Sequence, residues 1–348
     1  MLDAAIFGLG NWGQRLVGAV QGKSDRIRFI GGVARSPEKV SGFAREHGFD
    51  VHARYGDVLE DSAVKAIVVA TPHSLHHEHV IRAARAGKPV LVEKPFALTR
   101  TDAESAAAAC ETARVVMAVA HPRRFRSAYR ELKRLVEQGE LGTLLHVEGN
   151  FSGGYRHARS SWRSLPEENP AGGIAPRGIH VLDLMIDLFG PIGSVQAFSD
   201  RRVLEPGFMD DTSAVLLRFA NGLTGYLCTL MTTSPFWRLH VFGTKGSAAM
   251  EGERSLVIRR ADGSAPEVKS FPEEDILRSE LECFAGAVAG TETFPVRPDQ
   301  AVHGVAAIEA MASSARRDGA RADLALYGPA TGEMATTETH VQFGTGGS

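Results

Sequence analysis

The first third of the chain alternates short apolar runs with segments that have the composition of helices. The apolar runs cover residues 4–7, 27–33, 64–70 and 90–92. Nearly continuous apolar runs of this length are typical of parallel strands buried on both faces, with helices as crossovers. The pattern from residue 3 to about residue 120 therefore predicts a doubly wound α/β domain with a parallel sheet.

A glycine motif follows the first apolar run and precedes a helical segment. Gly8 and Gly10 allow a tight turn and the approach of a pyrophosphate, and Gly13 allows the helix to pack closely on the strand. The free N–H groups at the start of the helix suit phosphate oxygens. The motif predicts a dinucleotide-binding Rossmann domain over residues 1–121, with Asn11 and Trp12 also at the cofactor.

The end of the second apolar run bears on the choice between NAD and NADP. NAD-selective sites usually place an acid there to bind the ribose 2′-hydroxyl, but Ala34 occupies the expected position. Arg35 and Ser36 follow with a guanidinium and a hydroxyl suited to a 2′-phosphate. The sequence favours NADP, with NAD as the alternative, because Arg35 could instead stack on the adenine.

The third apolar run is followed by Thr71, Pro72, His73 and His76, which are expected to border the cofactor. Nearby histidines at helical spacing also raise the possibility of a metal site. The segment supplies no set of carboxylates or cysteines that would complete defined metal geometry, so we predict no metal.

The fourth apolar run leads directly into Glu93-Lys94-Pro95. Carboxyl ends of parallel strands open onto the ligand crevice, and the proline ends strand pairing there. Glu93 and Lys94 are therefore predicted at the cofactor, where a lysine could exchange a proton beside a nicotinamide.

Composition narrows the class of protein. A length of 348 residues favours two domains, and a net charge of -2 without a basic stripe argues against nucleic acid. The sequence shows neither a leader nor an apolar run long enough for a bilayer, so we expect a cytoplasmic protein without membrane contact. Three widely spaced cysteines without a CxxC pattern are expected to be free thiols.

In this order and spacing, the motifs resemble those of the glucose–fructose oxidoreductase / inositol dehydrogenase / rhizopine catabolism (Gfo/Idh/MocA) family. The residues that carry the resemblance are Gly8–Gly13, Ala70-Thr71-Pro72-His73-Ser74-Leu75-His76, Glu93-Lys94-Pro95, Trp162-Arg163, Ala171-Gly172-Gly173, Gly178-Ile179-His180-Val181-Leu182-Asp183 and Phe242-Gly243-Thr244-Lys245-Gly246-Ser247. The resemblance reaches to about residue 320.

The resemblance implies a second, α+β domain over residues 122–325, with a large, mostly antiparallel open sheet that forms a homodimer or homotetramer. Apolar segments at 144–152, 213–219, 223–230, 239–242 and 248–250 agree as strands, with Asn221-Gly222 as a hairpin turn and 126–138 as a bridging helix. The tail, 326–348, is rich in glycine and threonine, and could be loosely ordered or pack on a neighbouring subunit.

The same resemblance implies the catalytic roles. Lys94 would donate or accept the proton of the reacting oxygen, His180 would share it, and Asp183 would lie on the same helical face. Many relatives have an aspartate four residues before this histidine, whereas this chain has Pro176. Arg177 could compensate by binding an anionic substrate group, or could point to solvent.

Further hydrogen-bond donors and aromatic faces suit a polyhydroxylated or carboxylated substrate. The candidates that we expect to line the cleft are His121, Arg123, Arg124, Tyr155, Arg156, His157, Trp162 and Arg163.

Together these features predict an NAD(P)-dependent oxidoreductase that acts on a secondary alcohol or ketone of a sugar, cyclitol or related polyol. Two alternatives stay open. One is a redox-neutral sugar lyase or hydrolase that uses a tightly held nicotinamide cofactor, and the other is a non-catalytic NADPH-binding sensor.

Overall fold

The computed structural model describes residues 1–155 and 157–325, so the predicted tail, 326–348, lies outside the described residues. The N-terminal part forms a six-stranded parallel sheet in the order β3-β2-β1-β4-β5-β6. Its elements are β1 (Leu2–Phe7), α1 (Asn11–Val20), β2 (Ile27–Val33), α2 (Ser41–Glu46), β3 (Asp50–His52), α3 (Tyr55–Leu59), β4 (Ala66–Val69), α4 (His76–Arg85), β5 (Val90–Val92), α5 (Arg100–Ala113) and β6 (Met117–Val119).

The rest of the described chain builds a nine-stranded sheet with helices packed on one face. Its elements are α6 (Ser127–Glu137), β7 (Leu144–Ser152), α7 (Gly178–Phe189), β8 (Ile192–Asp200), β9 (Thr212–Phe219), β10 (Thr224–Leu230), β11 (Phe236–Gly243), β12 (Gly246–Glu251), β13 (Ser255–Arg260), β14 (Glu267–Ser270), α8 (Ile276–Val288), α9 (Pro298–Arg316) and β15 (Ala322–Asp323). The strand order is β14-β13-β12-β11-β7-β10-β9-β8-β15. The pairing is antiparallel except between β7 and β10, which run parallel.

The predicted fold class is confirmed: a parallel doubly wound sheet is followed by a mostly antiparallel one. The expected hairpin turn also forms, with Gly222 at φ 88° between β9 and β10. The sequence pattern missed β8, β13 and β14. Most of these strands alternate buried and exposed residues less regularly than β9 does.

The chain returns to the first domain after the second sheet is complete. Leu281 and Phe284 of α8 are fully buried in the core around β1 and β2, together with Val302 and Val305 from the first half of α9. The second half of α9 packs in the other core, where Met311 is fully buried. These two helices therefore bind the domains to each other.

A buried arginine fixes the point where the chain passes from one domain to the other. Arg124 follows β6, and its side chain is 1% exposed. It donates two hydrogen bonds to Asp183, of 2.9 and 2.7 Å, and a third of 2.9 Å to Asp187. The backbone carbonyl of Pro295 and the side chain of Gln300 accept two more. The first domain is thereby tied to both α7 and the start of α9.

Within residues 1–155 and 157–325, no helix combines the length and the apolar character needed to cross a bilayer.

Replacing Arg124 by methionine should destabilise the protein strongly, because Asp183 and Asp187 would lose the cation that compensates their burial. Breaking a buried ion pair on one side costs roughly 3–5 kcal/mol. The free energy of unfolding, measured by urea denaturation, is the readout.

The matched control is Arg321→Met, which removes an exposed pair with Asp323 at 2.7 Å. Exposed pairs contribute about 0–1 kcal/mol. Equal losses for the two variants would show that the Arg124 cluster does not hold the domains together.

Candidate functional site

A cavity of about 960 Å³ lies between the carboxyl ends of β1, β4 and β5 and the second domain. The predicted residues that line it are Asn11, Trp12, Thr71, His73, His76, Glu93, Lys94, Arg123, Tyr155, His157, Trp162, Arg163, Arg177 and His180. The cavity thus combines residues predicted for the cofactor with residues predicted for the substrate.

The turn after β1 has the geometry that dinucleotide binding requires. Gly8 has φ 97°, and a Cβ there would lie 2.6 Å from the carbonyl oxygen of Ala70. A Cβ on Gly13 would lie 2.0 Å from the carbonyl oxygen of Gly8, so helix α1 packs directly on the turn. At Gly10 a Cβ would meet no protein atom within 4 Å. Protein packing therefore does not require glycine at position 10, whereas close approach of a ligand to the backbone would.

Trp12 and Glu93 connect this turn to the end of β5. The indole Nε1 of Trp12 donates to Oε1 of Glu93 at 2.5 Å, and the backbone N–H of Lys94 lies 3.3 Å from Oε2. Burial raises the pKa of Glu93, while the charge of Lys94 and the Trp12 hydrogen bond lower it. Glu93 therefore positions both Trp12 and the backbone of Lys94.

The side chain of Lys94 reaches across the cavity to the second domain. Its Nζ donates a 2.8 Å hydrogen bond to the carbonyl oxygen of Pro176. Burial lowers the pKa of Lys94 to about 8, the charge of Glu93 opposes this, and nearby arginines reinforce it. A group with this pKa can both accept and donate a proton near neutral pH.

His180 lies in the first turn of α7, and its side chain lines the cavity beside Lys94. Burial lowers its pKa well below the ordinary value, and the charges of Lys94 and Arg123 lower it further. The ring is therefore neutral. Its buried Nδ1 has no hydrogen-bond partner in the described part of the chain.

His73 and His76, which follow β4 and line the cavity, form hydrogen bonds to different backbone carbonyls. His73 donates from Nδ1 to the carbonyl oxygen of Glu168 at 2.7 Å, which joins the two domains. His76 lies between the carbonyl oxygens of Pro95 and Thr71, at 2.8 and 2.9 Å. Burial lowers its pKa to about 4, so the neutral ring donates to only one of them. Residues 1–155 and 157–325 contain no group of three or more side chains suited to hold a metal.

Three residues that were predicted to bind substrate or take part in catalysis do not line this cavity. Arg124 donates its hydrogen bonds to two carboxylates and a backbone carbonyl of the protein. It therefore holds protein segments together and does not face the cavity as the predicted substrate ligand. Both oxygens of Asp183 accept hydrogen bonds from Arg124, and in the described part of the chain no hydrogen bond joins Asp183 to His180. His121 is buried against Asp183, with Nδ1 3.7 Å from Oδ2. All three side chains are buried and do not line the cavity, and Nδ1 of His121 has no hydrogen-bond partner in the described part of the chain.

Arg35 and Ser36 lie just beyond the end of β2, where Arg35 is exposed. Gly8 and Gly10 belong to the turn after β1, Gly13 to helix α1 and Pro72 to the turn after β4, and none of the four lines the cavity.

The sequence analysis missed Phe151 and Glu168, which shape the site. Arg123 lines the cavity as predicted, whereas the predicted Arg156 lies outside the described residues. Phe151 at the end of β7 lies 6.0 Å from the ring of His180, and the guanidinium of Arg123 lies 4.6 Å from the centre of the Phe151 ring. Glu168 accepts from the backbone N–H of Ser74 at 3.0 Å and so joins the domains a second time. The Ser74–Glu168 contact links segments 94 residues apart, and the contacts of Phe151 link β7 to separate elements, so no local pattern reveals them.

Comparisons with known proteins identify the family of this chain. Residues 2–121 match the profile of the oxidoreductase family with an NAD-binding Rossmann fold, and residues 129–249 match the GFO/IDH/MocA C-terminal domain. The two matches together span more than half of the chain.

Similar proteins include 2,7-anhydro-N-acetylneuraminate hydratase of Escherichia coli, which is 28% identical over 79% of this chain and 75% of its own length. The structure of aldose-aldose oxidoreductase from Caulobacter crescentus, complexed with glycerol, superposes with a TM-score of 0.83 at 25% identity, covering 93% of this chain and 99% of that one. Levoglucosan dehydrogenase, in complex with NADH and levoglucosan, has a TM-score of 0.83 at 22% identity, with coverage of 92% and 99%. This chain is an NAD-binding oxidoreductase that belongs to the Gfo/Idh/MocA family.

Proposed function

We propose that this protein transfers hydride between a nicotinamide cofactor and a secondary alcohol or ketone of a sugar, cyclitol or related polyol. The observation that carries the proposal is the ammonium group of Lys94. It lies at the wall of the large cavity, has a pKa of about 8 and stands beside the neutral ring of His180.

The turn after β1 suits the cofactor. The backbone at Gly10 and the first N–H groups of α1 would hold the pyrophosphate, and Trp12, Thr71, His73, His76 and Glu93 would border the rest. When bound, the nicotinamide supplies or accepts the hydride.

The protein's own part in the reaction is to move a proton. In alcohol oxidation, neutral Lys94 takes the hydroxyl proton while the carbon loses hydride, and in reduction the ammonium returns that proton to the new alkoxide. His180 would donate or accept a hydrogen bond at the same oxygen, since its neutral ring has one nitrogen of each kind. Tyr155 and Trp162 provide a hydroxyl and an aromatic face for a sugar ring.

Many relatives have an aspartate where this chain has Pro176, yet Lys94 still has a hydrogen-bond acceptor at this position. The backbone carbonyl of Pro176 holds Lys94 at 2.8 Å. A carbonyl oxygen orients the ammonium but takes up no proton, so Lys94 exchanges its proton with water in the cavity.

A second candidate function is redox-neutral sugar chemistry with retained cofactor. The E. coli relative named as a hydratase supports it. Net accumulation of reduced cofactor with the sugar substrate distinguishes the oxidoreductase from this alternative.

We further propose a preference for NADP over NAD. Arg35 is exposed directly after β2, and Ser36 follows it with a hydroxyl. A guanidinium at this point suits a 2′-phosphate, and the position that would hold an acid is Ala34.

A second copy of the chain is proposed to cover the outer face of the nine-stranded sheet, which we define by Phe198, Leu216, Tyr226 and Phe242. Leu216 is 58% exposed and Phe198 is 54% exposed, whereas their neighbours Val215 and Ala197 point into the core. Apolar side chains that line up across four strands are typical of an interface. A homodimer or homotetramer would bury them.

Replacing Lys94 by methionine should lower kcat by about 10²–10⁴-fold, because the proton carrier is lost. Calorimetry should show that cofactor affinity is retained. In the unchanged protein, kcat/KM for oxidation should rise with pH through about 8, since the neutral amine is the acceptor, and that for reduction should fall over the same range.

Lys65→Met removes an exposed lysine of the same domain and should leave turnover unchanged. A polyol and keto-sugar screen that finds full turnover in the Lys94 variant would refute the role of this residue.

Replacing Arg35 by alanine should weaken binding of NADPH by about 10- to 100-fold, the loss expected for a hydrogen-bonded charge pair, and should change NADH binding little. Titration calorimetry measures both constants. Arg45→Ala, which removes an exposed arginine of α2, is the control. Equal losses for the two nucleotides would rule out recognition of the 2′-phosphate by Arg35.

Replacing Leu216 by aspartate should lower the molar mass measured by light scattering after gel filtration, because a charge would be placed in the proposed interface. Val203→Asp is the control, because Val203 is 69% exposed in the connection between β8 and β9, outside the strands of the sheet. A monomeric unchanged protein at micromolar concentration would contradict the proposed assembly.

A further inference from the structure

The substrate end of the cavity carries more positive charge than the surrounding protein neutralises. Lys94, Arg163 and Arg177 all line the cavity, and the charges of both arginines act on Lys94. Glu93 is the acid closest to Lys94 in the chain, and its oxygens already accept from Trp12 and from the backbone of Lys94. This end of the cavity therefore has an excess of cations.

Neither guanidinium is neutralised by a carboxylate. Within residues 1–155 and 157–325, no acidic side chain forms an ion pair with Arg163 or Arg177. Arg123 and Arg126, which also line the cavity, differ in that both pair with Glu253. At the substrate end of the cavity, the charge available to a ligand thus comes from Arg163, Arg177 and Lys94. Arg15, which also lines the cavity, instead stacks on Trp12 in helix α1 at 4.9 Å.

Arg177 is held in place by the loop that follows β7. Its Nη2 donates a 2.6 Å hydrogen bond to the carbonyl oxygen of Gly154. A Cβ on Gly153 would come within 2.8 Å of Nη1, so the glycine makes room for the guanidinium. Nη1 is buried, and in the described part of the chain it has no acceptor.

Arg163 is held in a different way, by an aromatic ring. Its guanidinium carbon lies 4.2 Å from the centre of the Trp162 ring, and Trp162 packs edge-on against His73 at 4.7 Å. Burial lowers the pKa of Arg163 and also that of Arg177. The charge of Glu93 opposes the effect of burial on Arg163, whereas burial alone acts on Arg177. Withdrawal of Arg177 from water without a compensating anion is unfavourable unless a ligand supplies one.

We propose that the substrate is a sugar acid, whose carboxylate is bound by Arg177 and Arg163 while a hydroxyl or keto carbon lies at Lys94. The planar forks of two guanidinium groups match the geometry of a carboxylate. Helix α7 begins at Gly178, directly after Arg177, and the positive end of its dipole favours an anion in the same region. This inference rests on the proposed function, because it takes Lys94 as the proton carrier.

The test compares sugar acids with their uncharged counterparts on the NADH complex of the full chain. The probes are D-galacturonate with D-galactose, D-glucuronate with D-glucose, and D-gluconate with D-glucitol. In at least one pair, titration calorimetry should give a dissociation constant for the acid about 10- to 100-fold below that of the neutral partner, as expected for charged hydrogen bonds. A panel in which no acid binds more tightly than its neutral partner overturns the inference.

Variants assign the preference to the two arginines. Arg177→Gln and Arg163→Gln should each remove most of the preference for the acid, through weaker binding of the acid alone, and Arg177→Lys should restore part of it. Arg159→Gln is the matched control, because Arg159 lies in the same connection between β7 and α7 but is exposed and 3.7 Å from Glu205. An acid preference that survives in both glutamine variants overturns the assignment.

Binding of NADH to the same variants separates substrate from cofactor. Unchanged NADH affinity in Arg177→Gln and Arg163→Gln supports the carboxylate role, whereas a loss of NADH affinity equal to the loss for the acid shows that these arginines serve the cofactor. If a neutral polyol is oxidised in a reaction that depends on Lys94, and acids show no advantage, the proposed function stands and the sugar-acid inference fails.

Discussion

The arrangement of the site depends on the buried charge cluster around Arg124. Arg124 follows β6, the last strand of the nucleotide-binding sheet, and donates hydrogen bonds to two aspartates of α7 that lie one helical turn apart. His180 belongs to the same helix and lies three residues before Asp183. Because the cluster fixes the position and rotation of α7, it also fixes His180 against Lys94. A buried pair with several hydrogen bonds suits this task, since any displacement would leave a charge without its partner.

Lys94 owes its acidity to a balance between burial and charge. Removal from water and the nearby arginines lower the pKa, and Glu93 raises it. Glu93 itself is held by Trp12 of the glycine turn, so the residue that tunes the lysine is linked to the segment that would hold the cofactor. Binding of the nucleotide and handling of the proton therefore share one set of contacts.

The sequence revealed those parts of the site that are local in the chain. The glycine turn, the Glu93-Lys94-Pro95 segment and the histidine of α7 each sit at a strand end or a helix start, where neighbours along the chain determine the geometry. Strands β4 and β5 of the first sheet could likewise be predicted, because they are continuously apolar.

Arg124 and Asp183 could not be interpreted correctly in this way. A polar residue that lines a cavity and one that pairs with a distant charge look alike in sequence, and Arg124 meets its partners 59 and 63 residues further along. The return of α8 to the first core is hidden for the same reason, since its apolar face would fit either sheet. The parallel pairing of β7 with β10 depends on connections between them and not on the residues of the strands.

The contact between Lys94 and the main chain at position 176 bears on how this site tolerates change. An acceptor that belongs to the peptide backbone survives any exchange of side chain that keeps the local path of the chain. Evolution can therefore vary the residue at this position, and with it the shape and polarity of the pocket wall, without disturbing the orientation of the amine.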